Sequence, residues 1–247
     1  MAGHSKWSQI KRKKAANDAA RGKLFGKLIR EITVAARKGG GDVAANARLR
    51  LAVQTAKDAN MPQDNVERAI KKGTGETGGA NFEETTYEGY GPRGVALMID
   101  TLTDNKNRTT AEIRFALSKM GGNLGENGCV AWIFETKGII WVAKDKADED
   151  RVMDVAIEAG GEDVSDDGEG FEISTAVADY EAVRQALSDA GIEYQSAAVQ
   201  RIHKNLVKVD GDDARKVIRL MEMLEDLDDV QAVSANFDVP SEILQEG

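Results

Sequence analysis

The period of the hydrophobic positions changes near residue 73, and this change divides the chain. In residues 21–38, Leu24, Leu28, Ile32 and Ala35 recur at i, i+4, i+8 and i+11, with Phe25, Ile29 and Ala36 beside them. That spacing is one apolar stripe on an α-helix. Gly39, Gly40 and Gly41 end it, and Arg37 and Lys38 suit its negative C-terminal end. Asn46 is the expected N-cap of a following helix, in which Leu49, Val53 and Ala56 share a face. Pro62 opens a further helix, which Ile70 closes on its apolar side and Gly73 terminates. Residues 8–72 therefore read as a small helical bundle with short connections.

Beyond a polar, glycine-rich boundary at residues 74–81 the pattern becomes mixed. Strands are expected at 85–88 and 95–100. A helix follows at 108–120, with Ile113, Phe115, Ala116 and Leu117 as its apolar residues, and then a short buried strand at 130–134. From residue 138 the order is strand 139–143, helix 148–159, strands near 162–165 and 171–175, helix 179–190 and strand 193–202. This is the β-α-β-β-α-β split of the ferredoxin-like fold. Each of its helices follows an aspartate (Asp148, Asp179) and ends in Ala-Gly. A last strand, helix and strand at 206–209, 212–227 and 230–233 are expected to complete the sheet begun by residues 83–135. The predicted fold class is α+β: an N-terminal helical bundle followed by two ferredoxin-like α/β domains, the last inserted into the middle one. The corresponding boundaries are 1–76, 82–136 plus 204–240, and 137–203.

Charge sharpens the division. Residues 1–72 hold 17 Lys and Arg against 6 Asp and Glu, a net +11, whereas residues 73–247 hold 16 against 36, a net −20. A compact basic segment on an acidic body points to one polyanion-binding face, because each cation set on a phosphate releases a condensed counterion. Lys11, Arg12, Lys13 and Lys14 are consecutive, and Arg21, Lys23, Lys27 and Arg30 continue along the polar side of the first patterned helix. His4, Lys6 and Trp7 precede the run, and Trp7 beside cations suits base stacking. The bland alternative is that Trp7 caps the bundle core and the lysines form a solvated face. One cysteine, Cys129, fits a reducing compartment, and no run approaches the roughly 18 apolar residues of a membrane span. The expected location is cytoplasmic, with no membrane partner.

Catalytic signatures are missing. The two histidines and one cysteine have no zinc spacing, so no metal and no cofactor is expected. Residues 89–94 (GYGPRG) match G-x-G-x-x-G, but an apolar strand follows where the dinucleotide fingerprint needs a helix, so a hairpin turn is expected. The clusters Asp163/Asp166/Asp167, Asp210/Asp212/Asp213 and Asp226/Asp228/Asp229 read as caps and solvated turns. An enzyme acting on a phosphorylated substrate has only these features to support it. A scaffold whose acidic body meets basic proteins is compatible with a basic nucleic-acid-binding arm.

Five segments occur together in order: residues 1–7 (MAGHSKW), 87–94 (YEGYGPRG), 104–109 (DNKNRT), 121–125 (GGNLG) and 224–230 (LEDLDDV). Through them the chain resembles the YebC family of bacterial proteins over nearly its whole length. That family includes a mitochondrial translational activator. The resemblance implies one helical and two α/β domains. It also implies a non-enzymatic regulator of gene expression, described for most members as DNA-binding and transcriptional. For some members the description is a ribosome-associated factor that binds rRNA and relieves stalling on proline-rich nascent chains. Neither a helix-turn-helix nor an RNP motif is present, which favours contact with shape and phosphate over sequence. Loop residues Tyr90, Arg93, Asn105, Asn107 and Arg108 are candidate further contacts.

Overall fold

The computed structural model describes residues 18–76 and 81–244. His4, Lys6, Trp7, Lys11, Arg12, Lys13 and Lys14 lie outside the described residues. The chain forms two compact units. Among the described residues, one comprises those up to Val130 together with Asp210–Val233, and the other is built chiefly from Ala131–Val209 and the segment that begins at Ser234.

The first unit begins with three helices, α1 (Asp18–Gly39), α2 (Ala47–Asp58) and α3 (Gln63–Gly73). Leu28, Ile32, Ala35 and Ala36 of α1 close on Leu49, Ala52, Val53 and Ala56 of α2 and on Val66 and Ala69 of α3. Leu24, expected in this stripe, is exposed, because it lies a turn N-terminal to the part of α1 that α2 and α3 cover. Asn46 does two jobs. Its Oδ1 accepts from the Leu49 N–H at 3.1 Å, capping α2, while its Nδ2 donates to the carbonyls of Ala35 at 2.8 Å and Gly40 at 2.9 Å. One buried amide thus satisfies both the start of α2 and the end of α1, whose chain reverses through Gly40 at φ 85°.

The same unit holds a four-stranded sheet of β1 (Glu83–Tyr90), β2 (Ala96–Thr103), β3 (Asn123–Leu124) and β9 (Val230–Ala235), in the order β3-β1-β2-β9. β1 and β2 are an antiparallel hairpin with Tyr87 opposite Ile99 and Tyr90 opposite Ala96. Gly89 and Tyr90 end β1 and residues 91–95 make the turn, so the segment 89–94 is not a dinucleotide loop. Helices α4 (Lys106–Lys119) and α7 (Gly211–Glu225) pack against one another, with Ile113, Leu117, Leu220 and Leu224 fully buried. A direct hairpin joins β1 to β2, so this sheet does not follow the ferredoxin-like connectivity.

In the second unit β4 (Phe134–Ala143), α5 (Glu149–Glu158), β5 (Gly161–Asp166), β6 (Gly170–Thr175), α6 (Tyr180–Asp189) and β7 (Ser196–His203) succeed one another. The strand order β5-β6-β4-β7 is the ferredoxin-like one, with every described pairing antiparallel. Asp148 caps α5 through the Arg151 N–H at 2.9 Å. Gly160 at φ 102° and Gly191 at φ 69° turn the chain out of the two helices, as their Ala-Gly endings imply.

Three further expectations need correction. Residues 131–133 form a short 3₁₀ turn with Trp132 largely exposed, not a buried strand. The Val130 N–H donates instead to the Glu88 carboxylate at 2.8 Å. β8 (Val207–Lys208) does not complete the first unit's sheet but pairs in parallel with β10 (Phe237–Asp238). Phe115 is not core: it is 64% exposed, on the face of α4 opposite Ile113, Ala116 and Leu117. No helix among the described residues is long and apolar enough to cross a membrane.

Gly73 closes α3 against α1. A Cβ there would lie 2.7 Å from the Ala36 Cβ and closer still to the Thr33 carbonyl oxygen, so the two backbones meet where only glycine fits. Gly73→Ala is expected to destabilise the protein by about 1–3 kcal/mol. Gly22→Ala, on α1 where a Cβ meets nothing within 4 Å, should be neutral or stabilising by up to about 1 kcal/mol. Denaturation midpoints in urea, followed by circular dichroism, check both.

Candidate functional site

The first unit contains an open cleft of about 640 Å³, lined by Arg30, Lys72, Phe82, Asp104, Arg108, Glu112 and the segment from Asp226 to Asp229. At its floor lies Asp229, whose side chain is 3% exposed. Its Oδ2 accepts from Arg108 Nη2 at 2.6 Å, from the Thr109 hydroxyl at 2.8 Å and from the Thr103 hydroxyl at 3.1 Å. Its backbone carbonyl accepts from the Leu102 N–H at 2.9 Å, which ties it to the end of β2. Burial pushes the Asp229 carboxyl up, but the donors Arg108, Thr109 and Thr103 outweigh burial and hold it below the usual carboxylate range.

Local sequence explains the arrangement. Asn105 caps α4 by accepting from the Arg108 N–H at 3.1 Å, and the Thr103 hydroxyl accepts from the Asn105 N–H at 2.9 Å. The cap fixes the first turn of α4, so Arg108 and Thr109 both face the strand end where Asp229 arrives. Arg108 also reaches Asp104 at 2.9 Å, and hydrogen bonds to the two carboxylates raise its pKa.

Three cations of α1 meet the same segment. Lys23 pairs with Asp226 at 2.7 Å, Lys27 Nζ donates to the Glu225 carbonyl at 2.7 Å, and Arg30 stands 3.8 Å from Asp229 Oδ1. At spacings of four and three residues they share one helix face, and they meet the C-terminal end of α7, where the helix dipole places negative charge. Arg30 and Lys72 each also lie 5.9 Å from the Phe82 ring centroid. A second clamp forms at β1, where Glu84 meets Lys38 at 2.5 Å and also Arg48, which is paired with Glu31 at 2.7 Å. Burial raises the Glu84 carboxyl, and Lys38 and Arg48 more than reverse it.

The candidate contacts read from sequence are thus distributed. Lys23, Lys27 and Arg30 serve the cleft, and Arg21 is exposed near the start of α1 on a different face of the helix. Asn105 and Arg108 belong to the Asp229 cluster. Asn107 is exposed on α4. Arg93 stands on the exposed tip of the β1–β2 turn at φ 60°, a conformation that costs an L-residue about 1 kcal/mol. Tyr90 is half-buried and donates to the Cys129 carbonyl at 3.1 Å. Sequence reasoning missed Asp229. It read the acidic triple as a solvated turn, and only the pairing of distant segments singles out one member. The cluster at 163–167 does serve a turn: Asp167 Oδ1 accepts from the N–H groups of Glu169 at 3.0 Å and Gly170 at 2.8 Å.

A carboxyl whose folded pKa is depressed adds stability that is complete above its unfolded value of about 3.9 and is lost as pH falls through the folded value. Asp229→Asn is expected to lower stability at neutral pH by about 1–3 kcal/mol. It should also flatten the acid limb of a stability-versus-pH curve below about pH 4. Urea melts of both proteins between pH 2 and 7 check this, and an unaltered acid limb would remove Asp229 as its source.

Two family models match the chain, one described as the TACO1/YebC protein N-terminal domain over residues 5–76 and one as the TACO1/YebC second and third domain over residues 82–237. A probable transcriptional regulatory protein of Desulforapulum autotrophicum is 55% identical, covering 98% of each chain. Another of the same description, from Syntrophus aciditrophicus, is 53% identical over 99% of this chain and 98% of its own. The crystal structure of a conserved hypothetical protein from Aquifex aeolicus has a TM-score of 0.82 at 49% identity, covering 90% of this chain and 92% of its own. Matched by both models and by relatives over essentially its full length, the chain belongs to the TACO1/YebC family.

Proposed function

We propose that this protein is a non-enzymatic, cytoplasmic regulator of gene expression that binds nucleic acid through its N-terminal basic segment. The charge division carries the reading: +11 over residues 1–72 against −20 over the remainder. A face of that sign recruits phosphate, and the remaining surface repels it. The relatives named as probable transcriptional regulatory proteins support the same reading. Lys23, Lys27 and Arg30 already engage carboxylates and a carbonyl of their own unit. The run Lys11, Arg12, Lys13 and Lys14, with His4, Lys6 and Trp7 before it, is therefore the principal candidate, and Arg21 extends it.

A ribosome-associated translation factor that binds rRNA is the second reading. It is favoured by a basic segment with no base-reading motif, which suits the shape and phosphates of folded RNA. Sedimentation of tagged protein through a sucrose gradient, after RNase or DNase treatment, separates the two. RNase-sensitive co-migration with ribosomes selects translation, and DNase-sensitive association without ribosomes selects transcription.

Replacing Lys11, Arg12, Lys13 and Lys14 together by alanine is expected to weaken binding across sequences alike. The slope of log K against log salt should shrink by roughly 3, near the limit for four duplex phosphate contacts. Fluorescence anisotropy at several salt concentrations measures it, and an unchanged slope would take the run out of the interface.

A further inference from the structure

Within the acidic body, α4 reverses the local charge. Its sequence KNRTTAEIRFALSK holds four basic residues against one acidic, in a segment whose remainder is net −20 or more acidic. Arg108 is committed to Asp104 and Asp229, and Glu112 faces the cleft. The helix buries Thr109, Ile113, Ala116 and Leu117. At 100° per residue this leaves Asn107, Ala111, Arg114, Phe115 and Ser118 on the opposite face, with Lys119 at its edge. All six are exposed. Phe115 is 64% exposed, with the Lys119 ammonium 5.8 Å from its ring centroid.

A single exposed apolar side chain needs no explanation. Phe115 differs in its company: an exposed ring, the Lys119 cation over it, the exposed Arg114 beside it in the helix, and small neutral neighbours, Ala111 and Ser118, one turn away on the same face. An aromatic platform rimmed by cations is the arrangement on which an unpaired base stacks while its flanking phosphates meet Lys or Arg. A ring wedged into a duplex must unstack a base step at a cost of a few kcal/mol, whereas an unpaired base meets an exposed ring without that cost, so an unpaired base is the favoured partner. In cells unpaired bases are found chiefly in the loops and bulges of folded RNA.

We propose that the exposed face of α4, with Phe115 as the stacking platform and Arg114 and Lys119 as phosphate contacts, binds an unpaired base in a loop of structured RNA. This rests on the nucleic-acid-binding reading above and adds a second contact, in the otherwise acidic body, to the N-terminal basic one.

The test uses the full chain and three probes: an RNA hairpin whose adenine loop carries one 2-aminopurine, the same stem fully paired, and the loop sequence as single-stranded DNA. Phe115→Ala, at a position too exposed to disturb the core, is expected to lower hairpin affinity about tenfold and to abolish 2-aminopurine quenching. Affinity for the paired stem should not change, and Phe115→Trp should restore both hairpin readouts. Hairpin binding by Phe115→Ala at wild-type strength would overturn the proposal, as would equal losses on hairpin and stem. Equal, Phe115-dependent binding of the DNA strand would overturn the assignment to RNA. If Phe115→Ala is silent while alanines at Lys11, Arg12, Lys13 and Lys14 abolish binding, the α4 site fails and the basic-segment reading stands. If the wild type binds none of the probes and no duplex DNA either, both fail.

Discussion

A buried carboxylate cannot be left without donors, and in this protein that requirement joins the two ends of the first unit. Asp229 lies 121 residues from Arg108 in sequence. Closing so long a loop costs conformational entropy, though only logarithmically more than closing a short one. The return is a carboxylate held by one guanidinium and two hydroxyls, with its backbone in register beside β2. A charge buried in this way penalises misregister, because slipping β9 by one residue would strand Asp229 without Arg108, Thr103 or Thr109. The segments DNKNRT and LEDLDDV, which carry part of the family resemblance, are the two halves of this one contact.

The other shared segments have a comparable structural reason. Glu88 of β1 accepts from the N–H groups of Gly128 at 2.7 Å and Val130 at 2.8 Å. A Cβ on Gly89 would lie 2.7 Å from the Asn123 carbonyl oxygen, and one on Gly122 would lie 3.1 Å from the Gly91 Cα. YEGYGPRG and GGNLG are thus glycine-lined backbones packed on one another. Function is carried by what stands outside these contacts, on exposed side chains.

Charge is divided between the same two purposes. The cations of α1 that neutralise Asp226, Asp229 and the end of α7 hold the helices to the sheet. Those N-terminal to them are the candidates for phosphate. Exposed ion pairs such as Lys23–Asp226 contribute at most about 1 kcal/mol and weaken with salt. Phosphate recruitment weakens with salt as well, so the basic face and its acidic neighbours respond to one variable together.

Periodicity and end signals were enough to place most elements: the α1 stripe, the Asn46 cap, the Ala-Gly exits of α5 and α6, and the order of strands and helices from β4 to β7. Each depends on neighbours within a few residues, which a sequence displays directly. The net charge of residues 1–72 is likewise a property of the chain itself. Tertiary structure decided what depends on distant partners. It put Phe115 and Trp132 on the surface, although their apolar neighbours suggested burial. It set β8 beside β10 and took the Val130 N–H for Glu88. From three similar aspartates it chose Asp229 to be buried, because that residue alone reaches β2 and Arg108. Side-chain type and spacing fix local conformation. Which of several like residues is buried, paired or exposed is settled by what the fold brings against it.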